Sequence, residues 1–159
     1  MFTAFKDLSS QAKVWVYPSS RKFYPQEIEG LQQKIEEFIN TWKLEDEGFL
    51  ASFSLLYNRF VVFAVEENSE IVNADIDKKV AFVLQLQQEY DIELLDKMNV
   101  CFKQGEHVQY KELKEFKKLL KNKSVSAKTV VFDNLIQTKE ELENYWEVPI
   151  TESWYNRFL

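Results

Sequence analysis

The run LASFSLLYNRFVVFAVEE, residues 50–67, is the most apolar length of the chain, and its reading decides the fold. It divides into two strand-like halves at Asn58-Arg59. Branched and aromatic residues at this density favour extended backbone, and Asn accepts the left-handed conformation of a tight turn. A two-residue turn at Asn58-Arg59 would pair Tyr57 with Phe60, Leu55 with Val62 and Phe53 with Ala64. Leu56, Val61, Ser54, Phe63, Ser52 and Val65 then share the opposite face. Both faces are apolar, unlike those of an antiparallel pair with one side in water. The hairpin therefore predicts cover on both sides.

Working outward toward the N-terminus, Ala12–Tyr17 (AKVWVY) alternates as a strand, with Val14 and Val16 on one face and Trp15 and Tyr17 on the other. Pro18-Ser19-Ser20 ends it, and Pro25 suits the first turn of a helix. Ile28, Leu31, Ile35, Phe38, Ile39 and Trp42 recur at helical steps, with Glu27, Glu29, Glu36 and Glu37 on the wet side. Beyond the hairpin, Asp75 or Asp77 can cap a second helix with apolar positions Ile76, Val80, Val83, Leu84 and Tyr90. A strand is expected at Met98–Phe102, and Gly105 can turn it into a short run at His107–Tyr110.

The order β-α-β-β-α-β over residues 12–103 predicts an α+β fold of the ferredoxin-like type, an antiparallel sheet with its helices on one face. Its other face needs burial. The C-terminal extension, residues 111–159, offers a lysine-rich helix around Leu113, Phe116, Leu119 and Leu120, and a strand at Thr129–Phe132. Thr138 with Glu141 then has capping-box spacing. The tail NYWEVPITESWYNRFL, residues 144–159, carries Tyr145, Trp146, Trp154, Tyr155 and Phe158. Aromatics at this density are expected to pack on the open sheet face or on a second copy. The chain reads as one domain, 1–159, with its core at 12–103.

A net charge of −6 gives no overall attraction to phosphate backbones or anionic membranes, so neither is an expected partner. A single cysteine, Cys101, excludes an intramolecular disulfide and a Cys-rich metal site, which suits a reducing, cytoplasmic setting. The N-terminal MFTAFKDLSS has no apolar signal core, and no run approaches the length of a membrane span.

Candidate chemistry is sparse. Asp75 and Asp77 near a helix start suit capping and the helix dipole, and no His or Glu cluster accompanies them at metal-ligand spacing. His107 is the only histidine and sits beside a turn. Cys101 lies in the apolar VCF, a core context. Lysines 111, 114, 117, 118, 121, 123 and 128 outnumber the two glutamates among them, giving a solvated face or a patch for an acidic partner. Trp15 and Tyr17 sit where RNA-recognition folds place stacking aromatics, but FVVFAVEE lacks the basic glycine motif and ends in two glutamates. Arg21, after the first strand, can hold a carboxylate or phosphate.

The runs VWVYPSSR (14–21), DIDKKV (75–80), VVFDNL (130–135) and WEVPITESWYNRF (146–158) resemble an uncharacterised family of bacterial proteins from Bacteroidetes. Its members often carry the label "ABC transporter ATPase". The resemblance spans nearly the whole chain. The nucleotide chemistry in that label does not fit these residues: Gly30, Gly48 and Gly105 stand apart, and none opens a phosphate-cradling loop followed by Lys. Where relatives tend to read Gly-Cys-Ser-Ile-Asp, this chain has Asn73-Ala74-Asp75-Ile76-Asp77, and Tyr155 replaces the histidine of their Ser-Trp-His. No thiol or imidazole role therefore carries over.

These features favour a non-catalytic interaction or scaffold domain whose partner is a second copy or another protein. The alternative is a small-molecule-binding protein or enzyme with a site built from Tyr17, Arg21, Asp75, Asp77, Trp154 and Arg157. No catalytic residue, metal ligand or cofactor is expected.

Overall fold

In the computed structural model, which describes all residues Met1–Leu159, the hairpin strand Phe60–Val65 (β3) is fully buried on both faces. Ala51–Leu56 (β2) and Lys13–Pro18 (β1) lie antiparallel to it on either side, in the order β1-β3-β2. The two outer strands thus run parallel to each other and are joined through the helix Pro25–Trp42 (α1). This is a split βαβ. A second helix, Asn73–Tyr90 (α2), follows β3.

The next strand, Asn99–Gln104 (β4), belongs to a second antiparallel sheet. It pairs with His107–Glu112 (β5) and Val130–Phe132 (β6), and β6 pairs with Glu147–Pro149 (β7). Helix Leu113–Lys121 (α3) follows β5, and Lys139–Tyr145 (α4) separates β6 from β7. The architecture is α+β, with two sheets and four helices.

Three apolar interfaces stack these elements into four layers. Leu31, Ile35, Ile39 and Trp42 of α1 and Val83 and Leu86 of α2 bury Val61, Phe63 and Val65 of the first sheet. That sheet's other face, with Val14, Phe60, Val62 and Ala64, meets Cys101 and Phe132 of the second sheet, together with Leu142 and Trp146. The far face of the second sheet, with Val100, Phe102, Val131 and Val148, is covered by Phe116 of α3 and by Ile150. The outer layers are therefore α1/α2 on one side and α3 with the C-terminal tail on the other.

Several expectations shift. The hairpin loop has three residues, not two: Leu56 faces Phe60, Leu55 faces Val61 and Phe53 faces Phe63. Tyr57 and Asn58 both adopt positive φ, 54° and 50°, and the Arg59 amide closes the turn on the Leu56 carbonyl at 3.0 Å. One extra loop residue moves each partner by one place, so Phe53, Leu55, Val61, Phe63 and Val65 share the helix-covered face.

The second sheet as a whole, rather than the tail alone, roofs the valine face of β1, while Trp15 and Tyr17 turn under the helices. The aromatic tail divides. Trp146 is buried in a triangle with Phe60 and Phe132, at centroid distances of 4.9 and 4.8 Å. Trp154 lies on the outer surface, 37% exposed.

Helix α2 is also rotated from its expected face. Val80 and Leu84 are exposed, whereas Lys79 and Leu86 point inward. Neither aspartate is its N-cap. Val72 occupies that position, and Asp75 reaches back from the first turn to accept the Val72 N–H at 2.9 Å.

Candidate functional site: the groove between α1 and α2

The residues proposed from sequence as a ligand site are dispersed, and most serve the fold. Arg21 makes a two-pronged pair with Glu27, at 2.9 and 3.1 Å, and donates to the Tyr90 carbonyl at 2.9 Å. It thereby ties the start of α1 to the end of α2. Its hydrogen bonds hold the Glu27 carboxyl below the usual range, and Glu27 also accepts the Tyr24 amide at 2.7 Å, closing the first turn of α1.

Tyr17 lies in the core, 5.9 Å edge-on to Phe63, where burial pushes its hydroxyl up to about 12. Asp75 is buried and meets Lys43 at 3.1 Å. Burial would raise its pKa, but the Val72 amide and Lys43 outweigh that and lower it. Asp77 is exposed on α2. Trp154 and Arg157 stack on each other at 4.1 Å in the opposite outer layer. The structure joins Arg21 to α1 and Asp75 to Lys43. It does not bring the six residues into one pocket.

Two further cations, half-buried Arg59 and fully buried Lys79, were not singled out in the sequence. Arg59 has no carboxylate partner; its guanidinium instead donates to the carbonyls of Ser19 (3.2 Å), Ser20 (3.1 Å) and Val108. It fastens the hairpin loop to the end of β1 and to the second sheet. Beside it, a cleft of about 300 Å³ is lined by Lys22, Tyr57, Glu106 and the exposed His107. The other cation, Lys79, is fully buried with no hydrogen-bond partner for its amine, which lies 3.7 Å from the Trp15 ring centre and 5.5 Å from that of Tyr17. Burial brings its pKa down to about 7. Its signal was present: Asp75, Lys79, Val83 and Leu86 follow one helical stripe, with a lysine in an otherwise inward-facing place.

A groove between α1 and α2, about 760 Å³, opens to solvent. Its floor is formed by Phe38 and Phe82, stacked face to face at 4.3 Å and 5°, with Leu86 beside them. Glu37, Thr41 and Gln85 form part of the rim. At one end Lys34 of α1 pairs with Glu89 of α2 and donates to the Tyr90 hydroxyl at 3.3 Å. Hydrogen bonding to Glu89 raises the lysine's pKa. Phe38 was legible as a helix core position, but Phe82 was not, because only the packing of α2 beside α1 brings the rings together.

The groove offers an apolar stacking surface with a polar rim. No group of three or more His, Cys, Asp or Glu side chains is placed to hold a metal ion. Comparison with protein-family models, curated proteins and solved structures finds no match to this chain.

Proposed function

We propose that the chain is a non-catalytic interaction module whose α1–α2 groove receives a basic, apolar-faced segment of a partner protein. The observation that carries this reading is the Phe38–Phe82 stack at the floor of an open groove. Stacked aromatic surface with a polar rim is the anatomy of a protein-binding hot spot. Charge selects the occupant. Residues 25–50 and 66–91, which hold both helices, contain fourteen acidic and four basic side chains. A basic segment would be drawn to this layer and an acidic one repelled. The small-molecule alternative has less support, since Arg21 and Asp75 are already engaged by Glu27 and Lys43.

A photo-crosslinking residue at Gln85 tests the assignment in cells, with Asn144 on α4 as control. The expected result is an adduct from the groove alone, whose crosslinked peptide is rich in Lys or Arg and apolar residues. Equal labelling from both positions, or capture of acidic peptides, would overturn the assignment.

The proposal takes in the βαββα portion as a ferredoxin-like derivative. The split βαβ and the placement of both helices on one face support that description. The Bacteroidetes-type resemblance of the four sequence runs belongs to the same reading, without the ATPase chemistry of the family label. A cytoplasmic setting agrees with the lone thiol of Cys101, which is buried and pushed up to about 12. No helix is long and apolar enough to cross a membrane.

A further inference from the structure

We infer that the segment seated in the groove is the α3–tail surface of a second copy of this chain, giving head-to-tail association. This rests on the groove being a protein-binding surface, as proposed above.

The two outer faces of the molecule carry opposite charge. The four-layer stack puts the acidic α1/α2 layer and the α3 layer on opposite outer faces. Residues 111–128 carry seven lysines and two glutamates in a chain whose net charge is −6. Lys114, Lys117, Lys118 and Lys121 of α3 are all exposed. Each copy thus presents an acidic end and a basic end, and stacking copies in one direction brings opposite charges together.

The basic end also carries apolar surface. The tail lies against α3, with the Tyr155 ring 5.7 Å from that of Phe116. Trp154, 37% exposed, packs edge-on to Phe158 at 5.3 Å, and Leu159 is 56% exposed. Lys117 stands 4.4 Å over the Phe158 ring, and Arg157 stands 4.1 Å over that of Trp154. An aromatic patch bordered by cations therefore faces away from an aromatic groove bordered by Glu37 and by the Lys34–Glu89 pair.

The two surfaces differ, so the contact is heterologous. It propagates into a ring or a filament, whereas a symmetric dimer would join like surfaces. Association should weaken with salt, because exposed charges are screened over roughly 10 Å at 0.1 M ionic strength.

The experiment uses the full chain in two variants, Gln85→Cys on the groove rim and Lys121→Cys on α3. Both positions are exposed and Cys101 is buried, so the introduced thiols are the accessible ones. Under mild oxidation at low salt, the mixture is expected to give a disulfide-linked mixed dimer, with neither variant self-linking to a comparable extent. Sedimentation of the unmodified chain should show species larger than a monomer at 20 mM NaCl. Their apparent affinity should fall at least ~10-fold by 200 mM, and Lys117→Glu with Lys121→Glu should abolish them. Circular dichroism checks that each variant is folded. Self-linking of Gln85→Cys would mean groove-to-groove pairing and overturn the inference. A strictly monomeric chain at low salt would also overturn it, including one whose α3 lysines bind a polyanion. If Gln85 still captures a basic foreign peptide in cells, the groove assignment survives the loss of self-association; if it does not, both fall.

Discussion

The amine of Lys79 stands 3.7 Å from the centre of the Trp15 ring, fully buried and without a hydrogen-bond acceptor. A buried ammonium in this position is held by aromatic faces alone, and burial brings its pKa from 10.5 to about 7. The unfolded chain therefore binds more protons than the folded one between these values. Stability should rise with pH across that window, and the destabilising contribution is at its full size below pH 7. A shift of this size puts an upper bound of roughly 5 kcal/mol on the penalty for burying the charged form. Lys79→Met is expected to stabilise the protein by about 2–3 kcal/mol at pH 6 and by little above pH 10.5. Urea denaturation of both proteins at several pH values measures this, and an equal gain at every pH would contradict it.

Asp75 has the opposite sign. Its carboxylate accepts the Val72 amide and pairs with Lys43, and its pKa is lowered. The stability it contributes is present above the unfolded carboxylate pKa and is lost as pH falls through the lower folded value. Asp75→Asn should cost about 1–3 kcal/mol at pH 7, leaving Lys43 short of its partner. The difference in Tm between the two proteins should narrow steadily on acidification. A constant difference down to pH 2 would remove the ionic explanation.

Arg59 spans three backbone carbonyls, two in the loop after β1 and one on β5, so geometry matters more than charge. Arg59→Lys is expected to lose about 2 kcal/mol, nearly as much as Arg59→Met, because one ammonium cannot reproduce a planar fork. Hydrogen exchange should quicken at Ser19, whose amide bonds to the Arg59 carbonyl at 2.9 Å. Full rescue by lysine would show that charge alone suffices.

The Phe60–Phe132–Trp146 triangle is where the two sheets lock. Trp146 also donates its indole N–H to Asn134 at 2.8 Å. Trp146→Ala should cost about 3–5 kcal/mol. Asn134→Ala should cost about 1–2 kcal/mol by stranding that donor. Near-ultraviolet circular dichroism should lose most of its amplitude in the tryptophan variant. A loss below 1 kcal/mol for Trp146→Ala would mean the sheets are held elsewhere.

Ser52 is buried with an unpartnered hydroxyl, opposite Ala64 in the register. Removing that oxygen leaves no polar group unsatisfied, so Ser52→Ala should stabilise by about 1 kcal/mol in equilibrium denaturation. Destabilisation would reveal a partner for the hydroxyl.

Much of this was legible in local sequence. The spacing of Leu31, Ile35, Ile39 and Trp42 specified α1 and its inward stripe, and the alternation of Val14 with Trp15 specified β1. The doubly apolar β3 announced that both of its faces would be covered. These features depend on the 3.6- and 2-residue periods of the chain, which neighbouring residues set by themselves. The groove was less visible, because Phe38 and Phe82 lie on different helices.

What remained was decided by contacts between distant residues. The hairpin register turned on whether Tyr57 joined the strand or the loop, and a difference of one residue reassigns every cross-strand partner. Whether β4 sits beside β1 or in a second sheet is set by the aromatic interface that Phe132 and Trp146 build on Phe60. The rotation that turns Lys79 inward and Val80 outward likewise depends on what α2 packs against. Local sequence determines which faces of an element are apolar, but the partner for each face is chosen by packing among all of them at once, which only the tertiary structure resolves.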